Sequence, residues 1–127
     1  MAKLPQEAMD FLNDPKALKL IATVDANGKP NVATKGSVMT IDDETVAYAE
    51  MAGTKTRTNL EATKRAAVLA CKGLKSYQAK GVFQGFQTSG DIFQRVAKQL
   101  KEAFNLDANN VGIIKVEEVY CGGKKIA

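Results

Sequence analysis

Two short segments carry residue types that could do chemistry. The first runs Tyr48-Ala49-Glu50-Met51-Ala52-Gly53-Thr54-Lys55-Thr56-Arg57-Thr58-Asn59, where an apolar run leaves through Gly53 into a helical pattern. A helix start presents unpaired N–H groups and a partial positive charge, and so attracts phosphate. Lys55 would add a full charge, and Thr54, Thr56 and Thr58 would add hydroxyl donors. Thr54 is also placed to cap the helix. The Gly-x-x-x-x-Gly-Lys spacing of a Walker loop is missing. A capped helix with solvated lysines is therefore the plain alternative. The second segment is Ala33-Thr34-Lys35-Gly36-Ser37, which interrupts an apolar strand pattern with polar residues and a central glycine. Exposed N–H groups and hydroxyls there could face the heteroatoms of a ring, and an edge strand with a solvated Lys35 is the alternative.

Much other chemistry is excluded. The chain has no histidine, which removes Ser-His-Asp and Cys-His catalysis and histidine-ligated metals. Cys71 and Cys121 cannot form a four-cysteine zinc site and read as small buried residues. Asp42, Asp43 and Glu44 read as a turn, and Glu117 and Glu118 point to opposite faces of a strand. No side chain stands out as general acid or base, so any reaction would rest on a bound cofactor.

The elements that must position these segments follow from the pattern. The chain has 127 residues, 45% hydrophobic and 25% charged, which suits one globular domain spanning 1–127 and argues against disorder. No apolar run reaches the ~20 residues of a membrane helix. The first twelve residues lack the apolar core of a signal peptide, so a cytoplasmic protein is expected. Residues 5–13 suit a short helix ended by Asp14-Pro15. Residues 18–25 alternate, with Leu18, Leu20, Ala22 and Val24 facing one way and Lys19, Thr23 and Asp25 the other, a polar face that Ile21 breaks. Asn27-Gly28 predicts a tight hairpin, and residues 31–41 the return strand. Gly36 within it suggests a bulge or a close approach. Further strands are expected over 45–51, 65–71, 77–88 and 111–121, with Gly81 and Gly85 marking bends. A helix is expected from Lys55 to about Thr63. The clearest one runs from Asp91, with an apolar stripe of Ile92, Phe93, Val96, Ala97, Leu100 and Phe104. About six strands and three helices in so small a chain argue for a barrel that hides its edges.

The order of these elements, together with Gly53-Thr54-Lys55-Thr56-x-x-Asn59 and the strand at 65–70, resembles the split β-barrel that binds flavin mononucleotide (FMN), the pyridoxamine 5′-phosphate oxidase-like group. The resemblance extends from about Leu18 to the strand ending at Tyr120. It implies a mainly β split barrel with flanking helices and a homodimer whose interface shares the sites. It also implies that Lys55 and Thr56, with Asn59 nearby and next to the Thr54 already noted, grip the FMN phosphate, while Ala33, Thr34, Lys35, Gly36 and Ser37 line the ring and ribityl chain. The chain departs from oxidases of pyridoxamine phosphate, which carry an Arg-x-His motif that no part of this sequence can supply. A flavoprotein that carries electrons or reduces a small molecule is the resulting expectation. Deazaflavin fits the same fold, and haem would need a tyrosine or cysteine ligand.

One alternative comes from charge. Between positions 55 and 80 stand seven basic residues, Lys55, Arg57, Lys64, Arg65, Lys72, Lys75 and Lys80, against the single acid Glu61. Such a stretch could bind nucleic acid. The chain has no tryptophan and only 6% aromatic residues, which argues against a stacking platform.

Overall fold

The computed structural model describes residues 2–51 and 55–127. In chain order the elements are α1 (Gln6–Asn13), β1 (Leu18–Val24), β2 (Pro30–Thr34), β3 (Met39–Asp42), β4 (Thr45–Glu50), α2 (Lys55–Thr63), β5 (Arg65–Lys72), β6 (Lys75–Gln87), α3 (Asp91–Phe104), β7 (Asn110–Cys121) and β8 (Lys124–Lys125). The β1–β2 hairpin turns where Asn27-Gly28 predicts it. Gly28 takes a φ of +83°, which glycine adopts without a steric penalty. The Asp25 carboxylate accepts the N–H groups of Asn27 and Lys29, both at 2.9 Å.

The strands form one antiparallel sheet in the order β2-β1-β5-β6-β7-β4-β3, with β8 on β7. Laid flat, seven strands would hold β2 and β3 roughly 29 Å apart. Only residues 35–38 join Thr34 to Met39, a link that spans at most about 18 Å. The sheet must therefore curl until its ends nearly meet, which makes it a split barrel flanked by three helices. Register shifts at Lys80/Gly81 and Phe83/Gly85 bend β6, as the two glycines predict. A Cβ on Gly81 would lie 2.2 Å from the Lys115 carbonyl oxygen, so β7 can approach only a glycine there.

The barrel interior is filled by Ile21, Val38, Val46, Tyr48, Leu60, Val68, Tyr77, Phe83 and Ile114, with α1 contributing Ala8 and Leu12. A second cluster lies outside the sheet, where Val96 and Leu100 of α3 pack on Ala47 and Ala49 of β4 and Val111 and Ile113 of β7. All six residues of β4 are consequently buried, Val46 and Tyr48 on the barrel side and Ala47 and Ala49 on the helix side.

Three features correct the sequence pattern. The return strand expected over 31–41 is two strands, because residues 35–38 leave the ladder, and the described strands number eight rather than six. The more apolar face of β1 is the outer one: Lys19, Ile21 and Thr23 point inward, whereas Leu18 is half exposed and Leu20, Ala22 and Val24 lie on the outer face. The polar groups tolerate burial because each finds a partner. Lys19 Nζ donates to the Val38 carbonyl at 3.1 Å, and Thr23 Oγ1 accepts from Asn59 Nδ2 at 3.1 Å. Finally, Phe104 stays about half exposed, although it falls on the apolar stripe of α3.

Candidate functional site

The break at 35–38 builds the site. Val38 N–H returns to the Lys35 carbonyl at 3.2 Å, and Lys35 N–H bonds the Lys19 carbonyl at 2.9 Å. With the Lys19 ammonium on the Val38 carbonyl, the loop is held from below at both ends. Ser37 Oγ accepts the Ala49 N–H at 2.9 Å and fastens the loop to β4. Gly36 sits under Phe104, whose ring tip lies 3.0 Å from where a Cβ would be. The predicted close approach at this glycine therefore exists, and its partner is a side chain of α3.

A cleft of about 210 Å³ opens there. Thr34, Lys35, Gly36 and Ser37 form one wall, Ala49 and Met51 the floor, and Leu100, Phe104 and Leu106 the other wall. Phe104, Leu106 and Met51 are all partly exposed large apolar side chains, so an apolar surface faces a polar one. Such a cleft suits a flat ring with polar edges. Ala33 is not among its lining residues and packs on the barrel interior.

Lys35 enters the cleft wall, but its ammonium is turned toward Glu50, 3.6 Å from Oε2. Glu50 is 1% exposed and accepts the Tyr48 hydroxyl on Oε1 at 2.9 Å. Its Oε2 has no hydrogen-bond partner among the described residues. Lys35 Nζ also lies 5.7 Å from the centre of the Tyr48 ring. Burial, and then the neighbouring Glu50 charge, hold the Tyr48 phenol far above its ordinary pKa of 10.0, so it serves here as a hydrogen-bond donor.

The head of α2 is the second half of the site. Lys55 is exposed and lies 3.8 Å from Asp25 Oδ2 in the β1–β2 turn. The turn N–H groups, that of Lys29 first, hold the Asp25 carboxyl below its ordinary pKa. Thr56 and Asn59 face inward and are buried; Asn59 Nδ2 is spent on Thr23, and Asn59 Oδ1 lacks a partner among the described residues. Thr54, and Gly53 before it, lie outside the described residues. Lys55 is four residues on from Met51 in the cleft, so at most about 14 Å of chain separates the two halves.

Sequence reasoning missed Glu50, Asp25 and the α3 wall. Glu50 left a signal, since it is the one charged residue in the strand Thr45–Glu50. Phe104 left none, because nothing local says that a helix end will return to a loop about seventy residues earlier.

The basic 55–80 stretch does not converge. Arg57 pairs with Glu61 at 3.6 Å and lies over Phe86, Lys72 pairs with Asp14 at the far hairpin, and Lys80 lies over Tyr120. Lys64, Arg65 and Lys80 do line a larger outer groove of about 470 Å³, but they share it with Glu117 and Glu118. Among the described residues no helix is long and apolar enough to cross a membrane, and no group of acids and cysteines could hold a metal ion.

A split barrel whose edge strand breaks against the end of α3 defines the class: the chain is a split-barrel protein of the type that includes FMN-binding members. It belongs to the pyridoxamine 5′-phosphate oxidase family, whose profile matches residues 4–120. HupZ of Group A Streptococcus is similar at 30% identity, with 98% of each chain covered and a TM-score of 0.83. An FMN-binding protein of Syntrophomonas wolfei shares the fold at 21% identity, with 91% of this chain and 84% of that one covered and a TM-score of 0.82. The heme storage protein HutZ of Vibrio cholerae shares it at 21% identity, with 97% of each chain covered and a TM-score of 0.69. No curated protein matches the sequence.

Proposed function

We propose that the protein is a dimeric, cytoplasmic FMN-binding flavoprotein that acts as a small oxidoreductase or electron carrier. One observation carries this reading. Four of the residues expected to meet the flavin, Thr34, Lys35, Gly36 and Ser37, line a single cleft with Ala49 and Met51, close in the chain to the basic head of α2. The residues fit the group. The cleft's apolar wall suits the ring, its polar wall suits the ring edge and ribityl hydroxyls, and Lys55 with the first N–H groups of α2 suits the phosphate. Bound FMN would supply hydride or single-electron transfer. The chain's own part would be to fix the phosphate through Lys55 and the first N–H groups of α2, since Thr56 is buried, to orient the ring along 34–37, and to keep water off one ring face with Phe104 and Met51.

The outward apolar face of β1 supports the dimer. Leu18, Leu20, Ala22 and Val24 of β1 pair laterally with Val32 of β2 and with Ala67, Leu69 and Cys71 of β5, which makes one outward apolar surface. Val32 is 63% exposed and Leu18 54%. Exposed apolar side chains on an outward sheet face are what a partner covers, and a second copy of the chain is the partner proposed.

The test is the visible spectrum of the purified protein, followed by identification of whatever ligand denaturation releases. A flavin spectrum and released FMN are expected. A colourless preparation that also refuses added FMN would overturn the reading. In sedimentation, wild type should run as a dimer and Val32→Lys as a monomer.

A further inference from the structure

We infer that Glu50 is a positioning residue that sets the charge felt by the bound flavin ring, by holding and partly cancelling the Lys35 ammonium at the cleft wall. The inference rests on the FMN reading above and assigns a role in that site to a residue outside the cleft lining.

The geometry is specific. Glu50 lies on β4 between Ala49 and Met51, and both of those line the cleft. Strand alternation sends its side chain to the opposite face, into the barrel, where Tyr48 holds Oε1. Oε2 is left to Lys35 alone among the described residues, at 3.6 Å. Lys35 is 13% exposed, so its ammonium bridges the cleft wall and the interior. The Tyr48 ring that supports this arrangement cannot shift inward, because β7 passes it at Gly112, where a Cβ would lie 2.5 Å from the ring. A buried ion pair is often replaced by apolar side chains of similar volume at no cost in stability. A charged pair kept against a cleft is better explained by what its charges do there.

Reduction of a flavin by a chemical titrant such as dithionite adds two electrons and, in the anionic reduced form, one proton. The ring gains one negative charge. An ammonium beside it favours that form, and a carboxylate beside the ammonium weakens the effect. Wild type presents a neutral pair, Glu50→Gln a net positive charge, and the double variant Lys35→Gln/Glu50→Gln a neutral pair again. Glutamine at 50 keeps the shape and an acceptor for Tyr48.

The experiment is a dithionite titration of FMN-loaded protein against reference dyes. Glu50→Gln should favour the reduced form by about tenfold, a rise of about 30 mV for a two-electron couple. The double variant should return to within about threefold of wild type. Tyr48→Phe, which removes a hydrogen bond but no charge, should leave the potential in place. If Glu50→Gln leaves the potential unchanged or lowers it, or if the double variant keeps the Glu50→Gln value, the inference falls while the FMN reading stands. If Glu50→Gln does not fold, the comparison of wild type with Lys35→Arg decides, since arginine keeps the charge: a potential moved tenfold or more overturns the charge account, and an unmoved one supports it. Wild type that takes up no FMN sinks the underlying reading instead, a distinct result.

Discussion

Lys35 and Lys55, the two lysines of the proposed FMN site, each stand opposite a carboxylate at nearly the same distance, 3.6 Å and 3.8 Å. The similarity ends there. Lys35 and its carboxylate are 13% and 1% exposed, whereas the Lys55 side chain is 55% exposed and its Asp25 partner, in the hairpin turn, 17%. A buried pair cannot trade its partner for water, so its charges stay where the fold puts them. An exposed pair is screened and exchanges freely. In the proposed site Lys35 would therefore offer a fixed field, and Lys55 a cation free to leave its carboxylate for an incoming anion.

The comparison breaks most visibly at Lys35. Lys35→Met would strand the buried Glu50 carboxylate, a change that typically costs about 3–5 kcal/mol. Chemical denaturation of Lys35→Met, Glu50→Gln and the Lys35→Met/Glu50→Gln double variant should show the double variant recovering most of that loss. Equal losses in the single and double variants would mean that the pair is not the unit of stability. At Lys55 the effect should fall on binding instead. Lys55→Ala should weaken FMN by about 10- to 100-fold, roughly 1.4–2.8 kcal/mol, with folding stability nearly unchanged. Riboflavin, which lacks the phosphate, should bind both forms alike. A matching loss for riboflavin would remove Lys55 from the phosphate role.

A smaller effect belongs to Asp25. Its Oδ1 holds the hairpin turn and its Oδ2 faces Lys55, so Asp25→Asn keeps the turn acceptor and removes the competing charge. FMN should bind more tightly, by no more than about fivefold, and less so at high salt. Weaker FMN binding in this variant would show that Asp25 orients Lys55 rather than competing for it.

What was legible in the sequence was what local chemistry decides. Asn27-Gly28 could only be a tight turn, Gly81 and Gly85 marked the bends of β6, and the 3.6-residue stripe of α3 announced its buried face. The strand break at 35–38 was visible as misplaced polar residues, but not as a break, because the bonds that hold it open come from Lys19 and β4. The orientation of β1 was illegible for the same reason. Leu18, Leu20, Ala22 and Val24 are the more apolar face, yet Thr23 finds Asn59 thirty-six residues away and Lys19 finds Val38. Alternation reads burial only where polar side chains have no distant partner and apolar ones have no second surface to cover. The candidate site divides likewise: Lys55 and the 34–37 segment stood out by charge and glycine placement, and 34–37 do line a cleft, whereas Glu50 and Phe104 join it through contacts that no local window contains.

Lys19 sharpens the contrast as a third case, a buried lysine with no carboxylate in contact. Its ammonium is 3.1 Å from the Val38 carbonyl, and burial lowers its pKa below the ordinary 10.5, with Asp14 opposing from a distance. The sign follows directly. The folded chain releases this proton at a lower pH than the unfolded chain, so between the two values the unfolded chain binds more protons and stability rises with pH. Below its lowered folded-state pKa Lys19 costs the protein the full burial of its charge, and that cost fades as pH rises from there to the ordinary 10.5. Lys19→Met keeps the length of the side chain, removes the charge and gives up one hydrogen bond beneath the 35–38 loop. Thermal unfolding of both proteins from pH 7 upward should show the variant at its greatest relative advantage near neutrality, with the gap closing in favour of wild type in the alkaline range. A gap that stays constant with pH would mean that Lys19 meets enough water or countercharge to behave like Lys55, and that burial alone does not separate the fixed lysines of this barrel from the exchangeable one.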